Sequence, residues 1–232
     1  VTVEVPGSKS ITNRAFLLAA LNKGNCTLSG VQSSDDTRCF LEALKTLGYA
    51  VSEEVVNRKV HIEGRGNNIP HTDQVIYVGS AGTAARFLTT MLALSGGEYY
   101  LESSEQMRNR PMKDLLLSLE ELGVQMEYVK KPYTFPIHII GRSDKEKYQT
   151  DLNIDASSQY LSALLLNAPL LGGDLEVRLT GKRNARSYVG ITIEMMKAFG
   201  VNVEESGDCY IVQNKKVYRR ENYTIEPDSS TL

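Results

Sequence analysis

The sequence predicts an α/β (α+β) fold of three βαβαββ units packed around a pseudo-threefold axis. Two sets of markers predict it. Three glycines that end amphipathic helices, Gly48, Gly123 and Gly200, are spaced 75 and 77 residues apart. Three aromatic-leucine pairs in apolar helices, Phe16-Leu17, Phe87-Leu88 and Tyr160-Leu161, are spaced 71 and 73 apart. Markers of different physical origin that share a period denote an internal repeat. One such unit cannot cover its own apolar faces, so the three must pack together, helices inside and sheets outward.

The first unit runs from a strand at 1–5 through Pro6-Gly7 into a helix whose apolar run spans 15–21. A strand at 26–28 follows. Ser34, Asp35 and Asp36 open a second helix, with Phe40, Leu41, Leu44 and Leu47 at helical spacing and Gly48 as its C′ residue. Strands are expected at 50–56 and 59–62. The second unit repeats the order: strand 75–78, a small polar turn at 79–83, helix 84–94 and strand 99–101. The next helix is expected with Pro111 at its N1 position and Met112, Leu115, Leu116, Leu119 and Leu122 as its buried stripe. Strands at 125–129 and 137–140 close the unit. In the third, strand 152–154 leads to a cap at Asp155-Ala156-Ser157-Ser158 and a helix over 159–166. Strand 175–179, helix 191–199 and strands 201–204 and 210–212 complete it. Residues 224–230 echo 153–158 at a spacing of 72, so the chain reads as a fragment that stops at the cap of a fourth repeat.

Composition narrows the function classes. The chain has 232 residues, is 41% hydrophobic and 23% charged, and carries a net charge of −2, which argues against a nucleic-acid or anionic-membrane partner. No apolar run approaches the length of a membrane span. Cys26, Cys39 and Cys209 are odd in number and far apart, which fits buried free thiols in a reducing compartment. His61, His71 and His138 have no metal-ligand spacing, so no metal is expected.

The chemistry concentrates where the first helix starts. Helix N-termini offer free N–H groups and a partial positive charge, and so attract anions. Ser8, Lys9, Ser10 and Thr12 crowd that start. Arg14, four residues after Ser10, shares its face and can reach back to it. Each unit opens its first helix with hydroxyl residues: Ser8, Ser10 and Thr12, then Ser80 and Thr83, then Ser157 and Ser158. Three helix N-termini gathered at one end would form a broad anion-attracting surface without a large net charge.

The stretch Pro6-Gly7-Ser8-Lys9-Ser10-Ile11-Thr12-Asn13-Arg14 resembles the opening motif of the 5-enolpyruvylshikimate-3-phosphate (EPSP) synthase family. Ser34-Asp35-Asp36-Thr37-Arg38, Gly79-Ser80-Ala81-Gly82-Thr83-Ala84-Ala85-Arg86, Met107-Arg108-Asn109-Arg110-Pro111 and Asp155-Ala156-Ser157-Ser158-Gln159-Tyr160 resemble its later signatures, in the same order and across the whole chain. The resemblance implies one domain of the two-domain enolpyruvyl transferase fold, an inside-out α/β barrel. Residues 1–9 and 222–232 would be hinge segments to a second domain, and 10–221 the three-repeat domain, with repeats near 10–65, 75–141 and 151–213.

The implied reaction transfers the enolpyruvyl group of phosphoenolpyruvate to the 5-hydroxyl of shikimate 3-phosphate through a tetrahedral intermediate. By the same resemblance, Lys9 would be catalytic and touch both substrates. Ser10, Arg14, Ser157, Ser158, Gln159 and Tyr188 would join Lys9 in binding shikimate 3-phosphate, Arg14 through the carboxylate. Gly82, Arg110 and Gln159 would join Lys9 in binding phosphoenolpyruvate. Ser80, Phe87, Ala185 and Ser187 depart from the family pattern. The implied enzyme is monomeric and cytoplasmic and uses no cofactor. Its acidic catalytic residues come from the second domain, so this chain alone should show no useful turnover. Two rivals remain. A UDP-N-acetylglucosamine enolpyruvyl transferase of the same fold would carry a loop cysteine in the second unit, and residues 75–140 hold none. A non-catalytic phosphate-binding module would bind phosphates with little preference for the shikimate ring.

Overall fold

The computed structural model describes residues 8–182 and 186–226, with the side chains of 186–188 left out. The first unit holds α1 (Lys9–Ala20), β1 (Lys23–Ser29), α2 (Asp35–Thr46), β2 (Val51–Glu54) and β3 (Lys59–Arg65). The second holds β4 (Gln74–Tyr77), α3 (Gly82–Ser95), β5 (Tyr99–Glu102), α4 (Glu105–Arg108), α5 (Lys113–Glu121), β6 (Val124–Tyr128) and β7 (Ile137–Arg142). The third holds β8 (Lys147–Asn153), α6 (Gln159–Asn167), β9 (Asp174–Thr180), α7 (Arg186–Ala198), β10 (Glu204–Ser206) and β11 (Cys209–Val212). A last strand, β12 (Asn222–Thr224), follows.

Three four-stranded sheets result, ordered β12-β1-β3-β2, β4-β5-β7-β6 and β8-β9-β11-β10. In each, the first pair is parallel and the next two are antiparallel. The repeat is therefore real in three dimensions. The sheets are separate and, among the described residues, do not close into a barrel. The strand expected at 1–5 lies outside the described residues. In the first sheet its topological place is taken by β12, whose Leu28–Tyr223 register lies beside β1. Hydrogen bonds from Lys23 N to Tyr218 O (2.9 Å), Thr27 N to Glu221 O (2.8 Å) and Ile225 N to Ser29 O (2.8 Å) fasten the end of the third unit onto the first.

The centre is made of α1, α3 and α6, which touch one another pairwise. They are buried nearly all round, from Thr12 to Ala20 in α1, from Ala84 to Leu94 in α3 and from Tyr160 to Asn167 in α6. Much of this follows from sequence: apart from a few polar residues such as Arg14 and Arg86, these runs carry apolar residues on every face rather than on one stripe, the pattern of a helix with little solvent side. α2 and α5 bury a stripe only. Phe16 of α1 meets Phe40 of α2 at 6.1 Å between ring centres. α2 starts with a capping box between Ser34 and Thr37, and Gly48, Gly123 and Gly200 follow their helices with φ of 91, 98 and 92°.

Several expectations shift. Pro111 is not at N1: Met112 is the N-cap and Lys113 the first helical residue, because the helix ladder begins with Leu116 N to Met112 O. The preceding residues form the short helix α4, capped by Ser104, which a four-residue element gives too little periodicity to reveal. Val55 and Val56 are exposed in the β2–β3 turn rather than in a strand. Val201 is buried behind the end of α7, and the strand starts only at Glu204. Of the three free cysteines only Cys26 is buried, since Cys39 and Cys209 lie at the margins of the packed layers.

Gly64 in β3 shows how closely the layers approach. A Cβ there would sit 2.2 Å from Asn22 O and 2.6 Å from Ala19 O, both backbone atoms at the end of α1. Overpacking of this kind costs about 1–3 kcal/mol. In urea titrations, Gly64→Ala should therefore lower the unfolding free energy by that amount, whereas Gly172→Ala, with nothing within 4 Å of the added Cβ, should leave it unchanged.

Candidate functional site

The first turns of α3 and α6 meet. Gln159, the first residue of α6, donates from Nε2 to Thr83 Oγ1 of α3 (2.6 Å) and accepts at Oε1 from Arg86 Nη1 (2.6 Å). Arg86 donates from Nη2 to the carbonyl of Pro111 (2.8 Å). One buried guanidinium thus ties α6 to the loop that carries Arg110. Gly82 makes room for this. A Cβ on it would lie 2.6 Å from Arg86 Nη1 and 2.9 Å from Arg110 Nη1. Both guanidiniums therefore pack close against the Gly82 backbone at the start of α3.

Arg86 is 3% exposed, and its Nε has no hydrogen-bond partner among the described residues. Burial lowers its pKa, and the charge of neighbouring Arg110 acts in the same direction. Two guanidiniums side by side, without a carboxylate paired to either among the described residues, form a place for a dianion.

A second cluster centres on Arg14. Its Nε donates to Thr192 Oγ1 of α7 (2.8 Å), its Nη1 to Ser10 O (3.1 Å) and to the Ser10 hydroxyl, and its Nη2 to Ser162 Oγ of α6 (3.4 Å). The guanidinium carbon lies 5.2 Å from the Phe87 ring centre on α3. Arg14 is 5% exposed, and burial alone pulls its pKa down to about 10. Every protein partner is a neutral oxygen or a ring face.

The expected site residues fall as follows. Ser10 and Arg14 are joined directly, and Gly82, Arg110 and Gln159 belong to the other cluster. Ser157 is buried and accepts from Gln159 N (3.2 Å). Ser158 holds the N-cap position of α6 but makes no side-chain cap bond, which leaves its hydroxyl uncommitted to the helix. Lys9 is apart from both clusters: its ammonium is exposed and 3.8 Å from Asp36. Tyr188 lies in α7 with its side chain outside the described set, and Ala185 lies outside the described residues. Thr83, expected as one of the hydroxyls at the helix start, is committed to Gln159, and Arg86, Ser162 and Thr192 have no individual role predicted from sequence. Ser162 and Thr192 did leave a signal, as lone hydroxyls within the apolar runs of α6 and α7.

Residues 1–231 match the family model for EPSP synthase (3-phosphoshikimate 1-carboxyvinyltransferase). The chain belongs to the EPSP synthase family. A 3-phosphoshikimate 1-carboxyvinyltransferase of Trichormus variabilis is 38% identical over 230 residues, which cover 99% of this chain and 54% of that protein. A chloroplastic enzyme of the same name from Nicotiana tabacum is 37% identical, over 99% of this chain and 46% of that protein. A solved EPSP synthase from Acinetobacter baumannii superposes with a TM-score of 0.85 at 25% identity, covering 99% of this chain and 50% of that one. The chain spans about half the length of the curated EPSP synthase relatives it matches. Its three-sheet architecture is that of one EPSP synthase domain.

Arg86 should be irreplaceable even by lysine. An ammonium cannot reach Gln159 and the Pro111 carbonyl together in one plane. Loss of one bond from a charged donor costs about 1.5–3 kcal/mol. Arg86→Lys should lower the chain's unfolding free energy by that order, and a thermal melt of this variant beside the parent chain checks it.

Proposed function

We propose that this chain is the shikimate-3-phosphate-binding half of an enzyme that transfers the enolpyruvyl group of phosphoenolpyruvate to the 5-hydroxyl of shikimate 3-phosphate and releases phosphate. One observation carries the reading. Arg14, Arg86 and Arg110 gather at helix N-termini with no paired carboxylate among the described residues, in a chain whose family is named for 3-phosphoshikimate.

Both substrates are polyanions, so holding them side by side requires fixed cations and N–H dipoles. Arg14 would bind the shikimate carboxylate as a planar fork, with Ser10 giving up part of its own bond to the guanidinium. Ser157 and Ser158, at the start of α6, would hold the 3-phosphate with the helix N–H groups. The phosphate of phosphoenolpyruvate would lie over Gly82, between Arg86 and Arg110. Gln159, already bonded to Thr83 and Arg86, would sit between the two ligands. Tyr188 would line the sugar-phosphate site.

In the addition step the 5-hydroxyl oxygen bonds to C2 of phosphoenolpyruvate, C3 gains a proton, and the 5-hydroxyl loses one. Elimination removes the C3 proton and expels phosphate. Lys9, released from Asp36 by the arriving anions, would offset charge forming near C2. Positioning two reactants can supply roughly 7–11 kcal/mol in good intramolecular models. The proton donor and acceptor would come from the part of the relatives that this chain does not match. In this reading residues 10–221 form the binding domain, and 1–9 and 222–232 lead toward that second part. The whole enzyme would work as a cytoplasmic monomer.

A calorimetric titration of the chain tests this. Shikimate 3-phosphate should bind in preference to inorganic phosphate and UDP-N-acetylglucosamine. Binding no better than phosphate would contradict the reading, as would enolpyruvyl transfer by the chain alone. Arg14→Met removes a buried cation that no protein carboxylate neutralises. It should weaken shikimate 3-phosphate binding roughly ten- to hundredfold, the worth of a charge-assisted pair, in a chain that still unfolds cooperatively, because Thr192 and Ser162 keep the hydrogen bond between them.

A further inference from the structure

We propose that Thr192 and Ser162 are positioning residues that set the orientation of Arg14 for a ligand carboxylate. The inference rests on the reading of Arg14 as the carboxylate-binding residue.

Arginine has a long flexible stem, and its value as a planar clamp depends on how little freedom remains to be lost on binding. Here the guanidinium is fixed on three sides. Thr192 Oγ1 accepts from Nε (2.8 Å), and Ser162 Oγ accepts from Nη2 (3.4 Å). Ser10 holds Nη1 through its backbone carbonyl at 3.1 Å, and the Phe87 ring lies beneath the plane. The two hydroxyls also direct one another. Thr192 donates its proton to Ser162 Oγ (2.8 Å), which turns the Thr192 lone pairs toward Arg14. Both residues are fully buried, so water does not compete for them. Thr192 is β-branched within a helix, which limits it to few rotamers, and its bonds to Arg14 and Ser162 select the one that points its oxygen at the guanidinium.

The chemistry of these partners matters as much as their position. A carboxylate in place of either hydroxyl would hold Arg14 more strongly, but it would also neutralise it. Hydroxyls orient the guanidinium and leave its full charge for the ligand. The pair comes from α6 and α7, 148 and 178 residues from Arg14 in sequence. The orientation therefore depends on the third unit packing correctly against the first.

Two substitutions at one position separate positioning from packing. Thr192→Val keeps the shape and removes the hydroxyl, and Thr192→Ser keeps the hydroxyl and loses a methyl. By calorimetry, Thr192→Val should bind shikimate 3-phosphate about tenfold more weakly, and Thr192→Ser should stay within about twofold of the parent. With an analogue whose carboxylate is reduced to hydroxymethyl, Thr192→Val and the parent should bind equally. Equal binding of shikimate 3-phosphate by parent and Thr192→Val would overturn the proposal. So would an equal defect in both variants, or a defect that persists with the reduced analogue.

A ligand-free readout keeps the two readings separate. The Arg14 Nε–H resonance should exchange slowly with water in the parent and in Thr192→Ser, and rapidly in Thr192→Val. If the parent bound shikimate 3-phosphate no better than phosphate, the functional reading would fall. The exchange rates would still decide whether Thr192 holds Arg14, and unchanged exchange in Thr192→Val would refute it.

Discussion

Three helices without a solvent face set the terms for this protein. α1, α3 and α6 pack against one another and are buried along nearly their whole length. Helices of that kind must be covered on their outer sides, and the three sheets with α2, α5 and α7 do so. Apolar area at about 25 cal/mol per Å² rewards the arrangement, but only if all three units are present. The closure of β12 onto β1 completes it, because the first sheet has its full four strands only when the end of the third unit returns to the start.

Burying the sides of helices leaves their ends. The N-terminal turns of α3 and α6 meet there, and α1 brings Arg14 to the same end of the bundle through Ser162 and Phe87. The polar groups at this end would be costly if left without partners. The protein meets part of the cost internally, with Thr83, Gln159, Ser162 and Thr192. It does not meet the charge. Arg14 and Arg86 stay buried cations whose partners are neutral, and burial lowers the pKa of each. Stability alone would favour apolar residues there. An arrangement that retains such cations is suited to ligands that bring the negative charge with them, and the family's polyanionic substrates are of that kind.

Much of the fold was legible because its signals are local. Gly48, Gly123 and Gly200 mark helix ends through the left-handed backbone they adopt, and their spacing, shared with the aromatic-leucine pairs, exposes the repeat. Ser34 read as a cap because the sequence places an oxygen where N–H groups lack partners. Pro111 misled, since proline suits either N1 or the residues before a cap, and only the ladder from Met112 decides. The motif residues Ser10, Arg14, Gly82, Arg110 and Gln159 could be named from sequence. The role of Arg86 could not, because it depends on Pro111 and on Gln159 arriving from another unit. Thr192 and Ser162 were out of reach for the same reason: their partner lies more than a hundred residues away.

The central claim is that the end of the bundle, not the outer sheets, is built for anions. Crystals of the chain soaked in selenate, with the anomalous signal of selenium mapped, test it most directly. The account predicts selenate over Gly82 between Arg86 and Arg110, and at Ser157 and Ser158 where α6 begins. Selenate held only by lysines and arginines of the outer sheets, with both of those positions empty, would contradict it.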